Sequence, residues 1–463
     1  MGIGTITSSA GVNAVDMTGV LAGETVIATA ASMYQSLVLC ADGTLVTWGA
    51  TGSGTTSLPI LVNTTGVLAG KLPVAITAGE SHFLVLCADG TLASWGSNTY
   101  GQLGNNSTVA SVLPVAVDRS GVLSGKKVAV IAAGGNHSLV LCTDGTLAAW
   151  GNNNFGILGD GTTSRRLVPV LVNTSGVLAG MSVIGIAGGS DHSLALCANG
   201  RVAAWGRNQL GQLGDTTTTN SYVPVWVNNT GVLAGKTVTA VDAGQYHNLA
   251  LCSDGSLATW GDNGGGQLGN NTTTQSAVPV AVVQTGVLLG KTVTDVASGL
   301  RHNLVLCADG TLASWGQNTF AQLGNSTTTQ SNVPTLVDTA ALRTGERFAA
   351  GNSGPVAFHN LARVASPPPP AATTLAASAI TNTGAVLNGR INANGTSTAV
   401  TFQYGLTLAY GNSVSGSPAT VTGTATTAAN ATLGSLSPDT IYHRRVRNYT
   451  TFVFWELWVT AHD

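Results

Sequence analysis

Six Trp-Gly pairs recur along this chain, at Trp48, Trp95, Trp150, Trp205, Trp260 and Trp315, each eight residues after a cysteine (Cys40, Cys87, Cys142, Cys197, Cys252 and Cys307). The first cysteine interval is 47 residues and the other four are 55, yet Pro59, Pro114, Pro169, Pro224, Pro279 and Pro334 are uniformly 55 apart. An eight-residue deletion between Trp48 and Pro59 reconciles the two series. A fixed period of this length means stacked copies of one supersecondary unit rather than an irregular core.

The segment Gly19-Val-Leu-Ala-Gly23 returns from Gly66, Gly121, Gly176, Gly231 and Gly286, and in degenerate form at Ala341–Gly345. Seven linkers and seven following strands result. The seventh unit, Arg347 to Val364, has no Trp-Gly, and residues 3–16 read as its missing half. Each unit reads as four strands, in the third unit Lys127–Ala133, Ser138–Cys142, Thr146–Trp150 and Val168–Val172. Asp-Gly or Asn-Gly stands between the second and third strands (Asp144-Gly145, Asn199-Gly200), a hairpin signal whose two central residues are expected at positive φ. Four strands repeated radially predict an all-β, seven-bladed β-propeller with a split closing blade; six blades with loose ends is the alternative.

The repeat resembles the regulator of chromosome condensation family. Gly135-Asn-His137-Ser-Leu, Asp144-Gly-Thr-Leu147, Trp150-Gly-Asn-Asn153, and Gly-Gln-Leu-Gly at Gly101–Gly104 and Gly211–Gly214 carry the resemblance, over residues 1–364. It implies a seven-bladed propeller that binds other proteins. After Ser366 and the stiff spacer Pro367–Pro370 the period ends. Leu436-Ser-Pro438-Asp-Thr440-Ile-Tyr442 resembles the tyrosine corner of fibronectin type III domains, which implies a β-sandwich over 371–463 of the bacterial surface or secreted type. The aromatic ending at Phe452, Phe454, Trp455 and Trp458 departs from that pattern. The expected domains are 1–364, a linker at 365–370, and 371–463.

Charged residues are 8% of the chain and the net charge is −2, against about 25% charged in ordinary domains. No basic block exists to neutralise phosphates, so nucleic-acid binding is not expected. No apolar run is long enough for a membrane span. Residues 1–16 lack the regions of a signal peptide; the charge-poor, Thr- and Asn-rich composition nevertheless suits a secreted or surface protein, expected as a monomer and as a piece of a longer chain.

His82, His137, His192, His247 and His302 repeat with the period, with Gln35 in the slot of the first unit and His359 in that of the last. Histidines on separate blades cannot meet at the short distances zinc demands, so they are expected to bond turn backbone, with no metal. The cysteines, one per blade, are expected as free buried thiols. Gly231–Thr237 is one residue short of a phosphate loop and recurs as a linker in other units, so no nucleotide or other cofactor is expected. Nothing nominates an acid, base or nucleophile, and no enzymatic role is expected.

Comparing the repeats with one another separates scaffold from variable slots. The residues before each histidine, or before Gln35 in the first unit, are among the least uniform: Tyr34, Glu80, Asn136, Asp191, Tyr246 and Arg301. A second variable slot follows the Trp-Gly motif, at Tyr100, Phe155, Leu210 and Phe320, with Arg207 nearby. Both slots fall on connections at one face of the disc. Aromatic residues with an occasional arginine have the composition of interface hot spots. An unidentified protein partner is expected on this face; a glycan partner and a spacer role are the alternatives.

Overall fold

The computed structural model describes residues 12–51, 54–342, 346–365, 370–394 and 397–449. These divide into two compact units: one from the N-terminus to Ala341 together with Phe348–Arg363, the other mainly from Val364 onward.

In the first unit six antiparallel sheets of four strands follow one another in chain order. In the third repeat the strands are Val128–Ala133, His137–Cys142, Leu147–Gly151 and Arg166–Leu171. The second strand of each sheet is buried along its length, as in His137–Cys142, save for half-buried Gln35 in the first, because sheets stack on both its faces; hence the unbroken apolar run instead of an alternating one. The Trp-Gly tryptophans fill the space between sheets: Trp150, Trp205, Trp260 and Trp315 are fully buried. All six cysteines are free and buried.

The hairpin turn differs from the expectation. Gly145 N–H donates to the Cys142 carbonyl at 3.0 Å and Cys142 N–H to Thr146 O at 2.8 Å. Only the glycine has positive φ, 83°. This is a three-residue loop ending in a left-handed glycine, and Asp144 contributes a carboxylate that accepts from Thr146 N–H at 3.0 Å. The Asn-x-Ser/Thr triplets at Asn63 and Asn173 have a structural reason of the same kind. Their carboxamide oxygens accept from the N–H and hydroxyl two residues on, and Asp118 does the same with Ser120.

Each fourth strand is a sheet edge. Its recurrent proline, Pro169 for example, lies inside Arg166–Leu171 and withdraws a donor from the edge, which discourages pairing with another chain.

The seventh repeat contributes a two-stranded sheet, Arg347–Asn352 with Leu361–Ala365. It meets the first repeat: Ala357 and Leu361 share a core cluster with Val38, Cys40 and Trp48, against which Val15 packs. The expected four-stranded closing blade is thus corrected, among the described residues, to two strands; residues 3–11 of its proposed other half lie outside them, and 12–16 run on as non-strand chain. First strands from all seven repeats line a central cavity of about 300 Å³.

The second unit is a six-stranded arrangement. Ala371–Thr381, Gly384–Asn392 and Thr426–Leu433 form one half, and Ser397–Gly405, Asn412–Thr422 and His443–Tyr449 the other. A single residue pair, Ser417 with Asn430, bridges the halves, and residues from both enclose one core around Ile391, Val400 and Phe402. The aromatic ending from residue 450 lies outside the described residues.

Candidate functional site

The face carrying the first-to-second and third-to-fourth connections is tied together by contacts between neighbouring sheets. Each histidine spans to the next sheet rather than to turn backbone, which corrects the sequence expectation. His82 and His137 Nε2 lie 3.0 and 2.9 Å from Ser138 and Ser193 Oγ. His192, His247 and His302 Nε2 lie 2.7, 3.1 and 2.8 Å from the Oδ1 of Asn248, Asn303 and Asn360. His359 reaches Ser36 at 2.9 Å, joining the seventh repeat to the first.

The proton positions follow from the far side of each bond. Asn248 Nδ2 donates to the Gln212 carbonyl at 2.8 Å, so its oxygen must face His192, and His192 Nε2 must carry the proton. Ser138 likewise donates to Gln102 O at 3.1 Å. The same loop carbonyls accept the indole N–H of Trp150 and Trp260, at 2.9 and 3.1 Å. The imidazoles are neutral: burial pushes them down to about 4 in His82, His192, His247, His302 and His359, and to about 3 in His137.

On this base the variable residues assemble into three groups. In the first, the Arg207 guanidinium lies 5.2 Å from the Phe155 ring centre and 4.8 Å from that of Tyr246. It pairs with Asp191 at 3.3 Å and donates to Gln209 Oε1 at 3.0 Å. Burial raises the Asp191 carboxyl despite that guanidinium, and raises the Tyr246 hydroxyl. In the second, Tyr34 stacks on Phe358 at 5.6 Å and Phe320 meets Phe358 edge-on at 5.0 Å; Tyr34 and Phe320 are each 54% exposed. In the third, Asn136 Nδ2 donates to Glu80 at 3.0 Å and Gln102 Nε2 to Asn136 Oδ1 at 3.2 Å, while the Tyr100 N–H donates to Gln102 Oε1 at 3.0 Å. Arg301 approaches Asp262 at 3.7 Å. Leu210 is half-buried and joins no cluster through a ring or ion pair.

Residues of the two variable slots therefore interlock across sheet boundaries. Phe358, Asp262, Gln209 and Gln102 escaped the sequence reading. Phe358 had a signal, since it precedes His359 as Tyr34 precedes Gln35. Asp242 is a further departure, a carboxylate where other repeats carry Ala132 and Ala187. It lines the central cavity, accepts from Ser298 N–H at 2.7 Å, and is raised by burial to about 7. Among the described residues no three His, Cys, Asp or Glu side chains converge as a metal set would.

A family model described as an RCC1-like domain matches residues 2–356. The human E3 ubiquitin-protein ligase HERC2 is 34% identical over 260 residues, 56% of this chain and 5% of the ligase. The Arabidopsis thaliana ultraviolet-B receptor UVR8 is 31% identical over 227 residues, 49% of this chain and 48% of the receptor. The chain thus spans less than half the length of either relative. Yeast RCC1 (Prp20), solved bound to Kap60, has the same fold at a TM-score of 0.61 and 20% identity, over 72% of this chain and 78% of that one. The expectation of no enzymatic role is corrected by the HERC2 match, because a ligase is among the proteins that carry this repeat.

Proposed function

The chain belongs to the RCC1-like domain family, and on that footing we propose that its propeller binds a partner protein through the connection-bearing face. One observation carries the proposal. Arg207 is held between Phe155 and Tyr246 beside Asp191, and Tyr34, Phe358 and Phe320 form an exposed aromatic seam on the same face. Rigid aromatic area with pre-positioned charge is what interface anchors consist of. Yeast RCC1 (Prp20), which shares the fold and was solved bound to Kap60, supports the same reading.

The ring is read as seven-bladed, supported by seven first strands around one cavity and by the His359–Ser36 bond. The C-terminal unit is read as a fibronectin type III-like sandwich. Its supports are the two three-stranded halves around one core and the corner itself, where Ser437 N–H donates to the Tyr442 hydroxyl at 3.1 Å. Secretion or surface display is proposed from the 8% charged composition; cell fractionation with an antibody to the chain tests it.

Capture from surface and secreted fractions tests the face. The variant carries Tyr34→Ser, Tyr100→Ser, Phe155→Ser, Tyr246→Ser and Phe320→Ser, with circular dichroism as the folding control. A protein retained by the wild type and lost by the variant supports the proposal. Equal capture by both overturns it, and glycan-array binding that Tyr100→Ala abolishes would assign the face to sugars.

A further inference from the structure

The eight-residue deletion in the first repeat removes a loop that the following repeats lay over their neighbours. In intact junctions the loop's work is repeated almost atom for atom. The carbonyl of Gln102, Ile157, Gln212 or Gln267 accepts the indole N–H of the next sheet's tryptophan at 2.9–3.1 Å. Where the third strand carries a hydroxyl, the carbonyl of the following leucine accepts it, as Leu103 O does from Ser94 Oγ, Leu268 O from Thr259 and Leu323 O from Ser314, each at 2.7 Å; Ala149 and Ala204 stand at that position in the other two. That leucine is itself fully buried, and the glycine after it must lie against the indole: a Cβ on Gly104 would stand 2.6 Å from Trp150 Nε1.

At the first junction all of this is missing. Thr51 pairs directly with Gly54. The Trp95 indole N–H has no hydrogen-bond partner among the described residues, and the small exposed part of this side chain, 6%, leaves its nitrogen in reach of solvent. The Thr47 hydroxyl, equivalent to Ser94, turns to the Ser36 carbonyl at 2.8 Å. Val62 is half-buried where Val117 and Val172 are buried. Two neighbouring positions have changed in step: Phe83 replaces the Ser or Asn whose acceptor is gone and stacks on Trp95 at 5.3 Å, and Gln35 replaces the histidine that would have bonded it.

We infer that this notch is a binding site for a leucine-bearing tight turn of a partner protein, whose backbone carbonyls take the indole N–H of Trp95 and the hydroxyl of Thr47. The intact loops supply the template: a Gly-x-Leu-Gly turn with its glycines at positive φ, 82° and 66° at Gly101 and Gly104. An indole donor with no protein acceptor gains modestly from a ligand carbonyl that replaces water there, and the leucine adds apolar burial. The inference rests on the proposed function only in taking the partner to be a protein.

The probe is a backbone-cyclised peptide with the sequence of residues 99–106, Thr-Tyr-Gly-Gln-Leu-Gly-Asn-Asn, titrated into the 463-residue chain labelled with ¹⁵N-tryptophan. The Trp95 indole signal, assigned with Trp95→Phe, should shift saturably while those of Trp150, Trp205, Trp260 and Trp315 stay. Trp95→Phe should bind about fivefold more weakly, the loss of one neutral hydrogen bond, and a peptide with asparagine for its leucine at least tenfold. Restoring the period of 55 by inserting an eight-residue loop between Trp48 and Pro59 should abolish binding with circular dichroism unchanged; this variant carries the test if Trp95→Phe fails to fold. No shift of the Trp95 signal, or equal binding by the loop-restored protein, overturns the inference. The five-residue face variant keeps Trp95 and Thr47 and should still bind the peptide, so failure of the face and failure of the notch are separate results.

Discussion

Lowering the pH from about 7.5 to 5.5 should remove most of the propeller's stability, because its circle of histidines is buried uncharged. Six imidazoles have folded values of about 3 to 4 against 6.5 for the free group. A base whose folded value is depressed leaves the unfolded state binding more protons. Stability is therefore complete above 6.5 and is lost as pH falls from 6.5 toward 4. At pH 5.5 each histidine contributes a loss of roughly 1–2 kcal/mol by linkage, and six together about 8 kcal/mol. Asp242 opposes this, since burial raises it to about 7 and the folded state then binds the extra proton, a gain of about 2 kcal/mol. The net loss, about 6 kcal/mol, is comparable with the whole stability of an ordinary domain, about 5–15 kcal/mol. Urea unfolding followed by tryptophan fluorescence at the two pH values reads the change, and imidazole nitrogen NMR reads the titrations. An unchanged urea midpoint, or imidazoles titrating above pH 6 in the folded protein, would show that the ring is not held by neutral histidines.

The pairing of each histidine with the next sheet predicts coupling between distant positions. His192→Leu and Asn248→Leu should each cost about 2–4 kcal/mol by stranding a buried partner, and the double variant should cost about 1–2 kcal/mol less than their sum; additivity in urea denaturation would count against the bond. Gly134→Ala puts a Cβ 2.0 Å from His137 Cε1 and 2.4 Å from Gly189 O and should destabilise by more than about 3 kcal/mol. Gly121→Ala, with nothing within 4 Å, should stay within about 0.5 kcal/mol by the same assay. Burial pushes the Cys40 and Cys87 thiols up to about 11, so a thiol reagent at about pH 8 should react with them only as fast as the protein opens; prompt reaction in native buffer would contradict their burial.

Much of the propeller was legible from residue spacing. A period of 55, the Trp-Gly pairs and the glycine turns specify four short strands repeated around a ring, since each sheet buries its apolar faces only against copies of itself. The bond at Tyr442 was legible too, because Tyr442 and Ser437 are five residues apart and their contact is local. The variable slots also showed in the sequence, because comparing repeats cancels what the scaffold requires.

What the chain order concealed was contact between repeats. His192 and Asn248 are 56 residues apart, and only the stacking angle of adjacent sheets brings them to 2.7 Å. Phe155, Arg207 and Tyr246 come from three successive sheets and meet only on the closed face. The turn at Gly145 went the other way from its dipeptide signal, because hydrogen bonding across Cys142 and Thr146 selects a longer loop with one left-handed residue. Gln35 and Phe83 look like unrelated exceptions in the sequence. In the structure they follow from one missing carbonyl, and that dependence exists only where the ring sets the first repeat against the second.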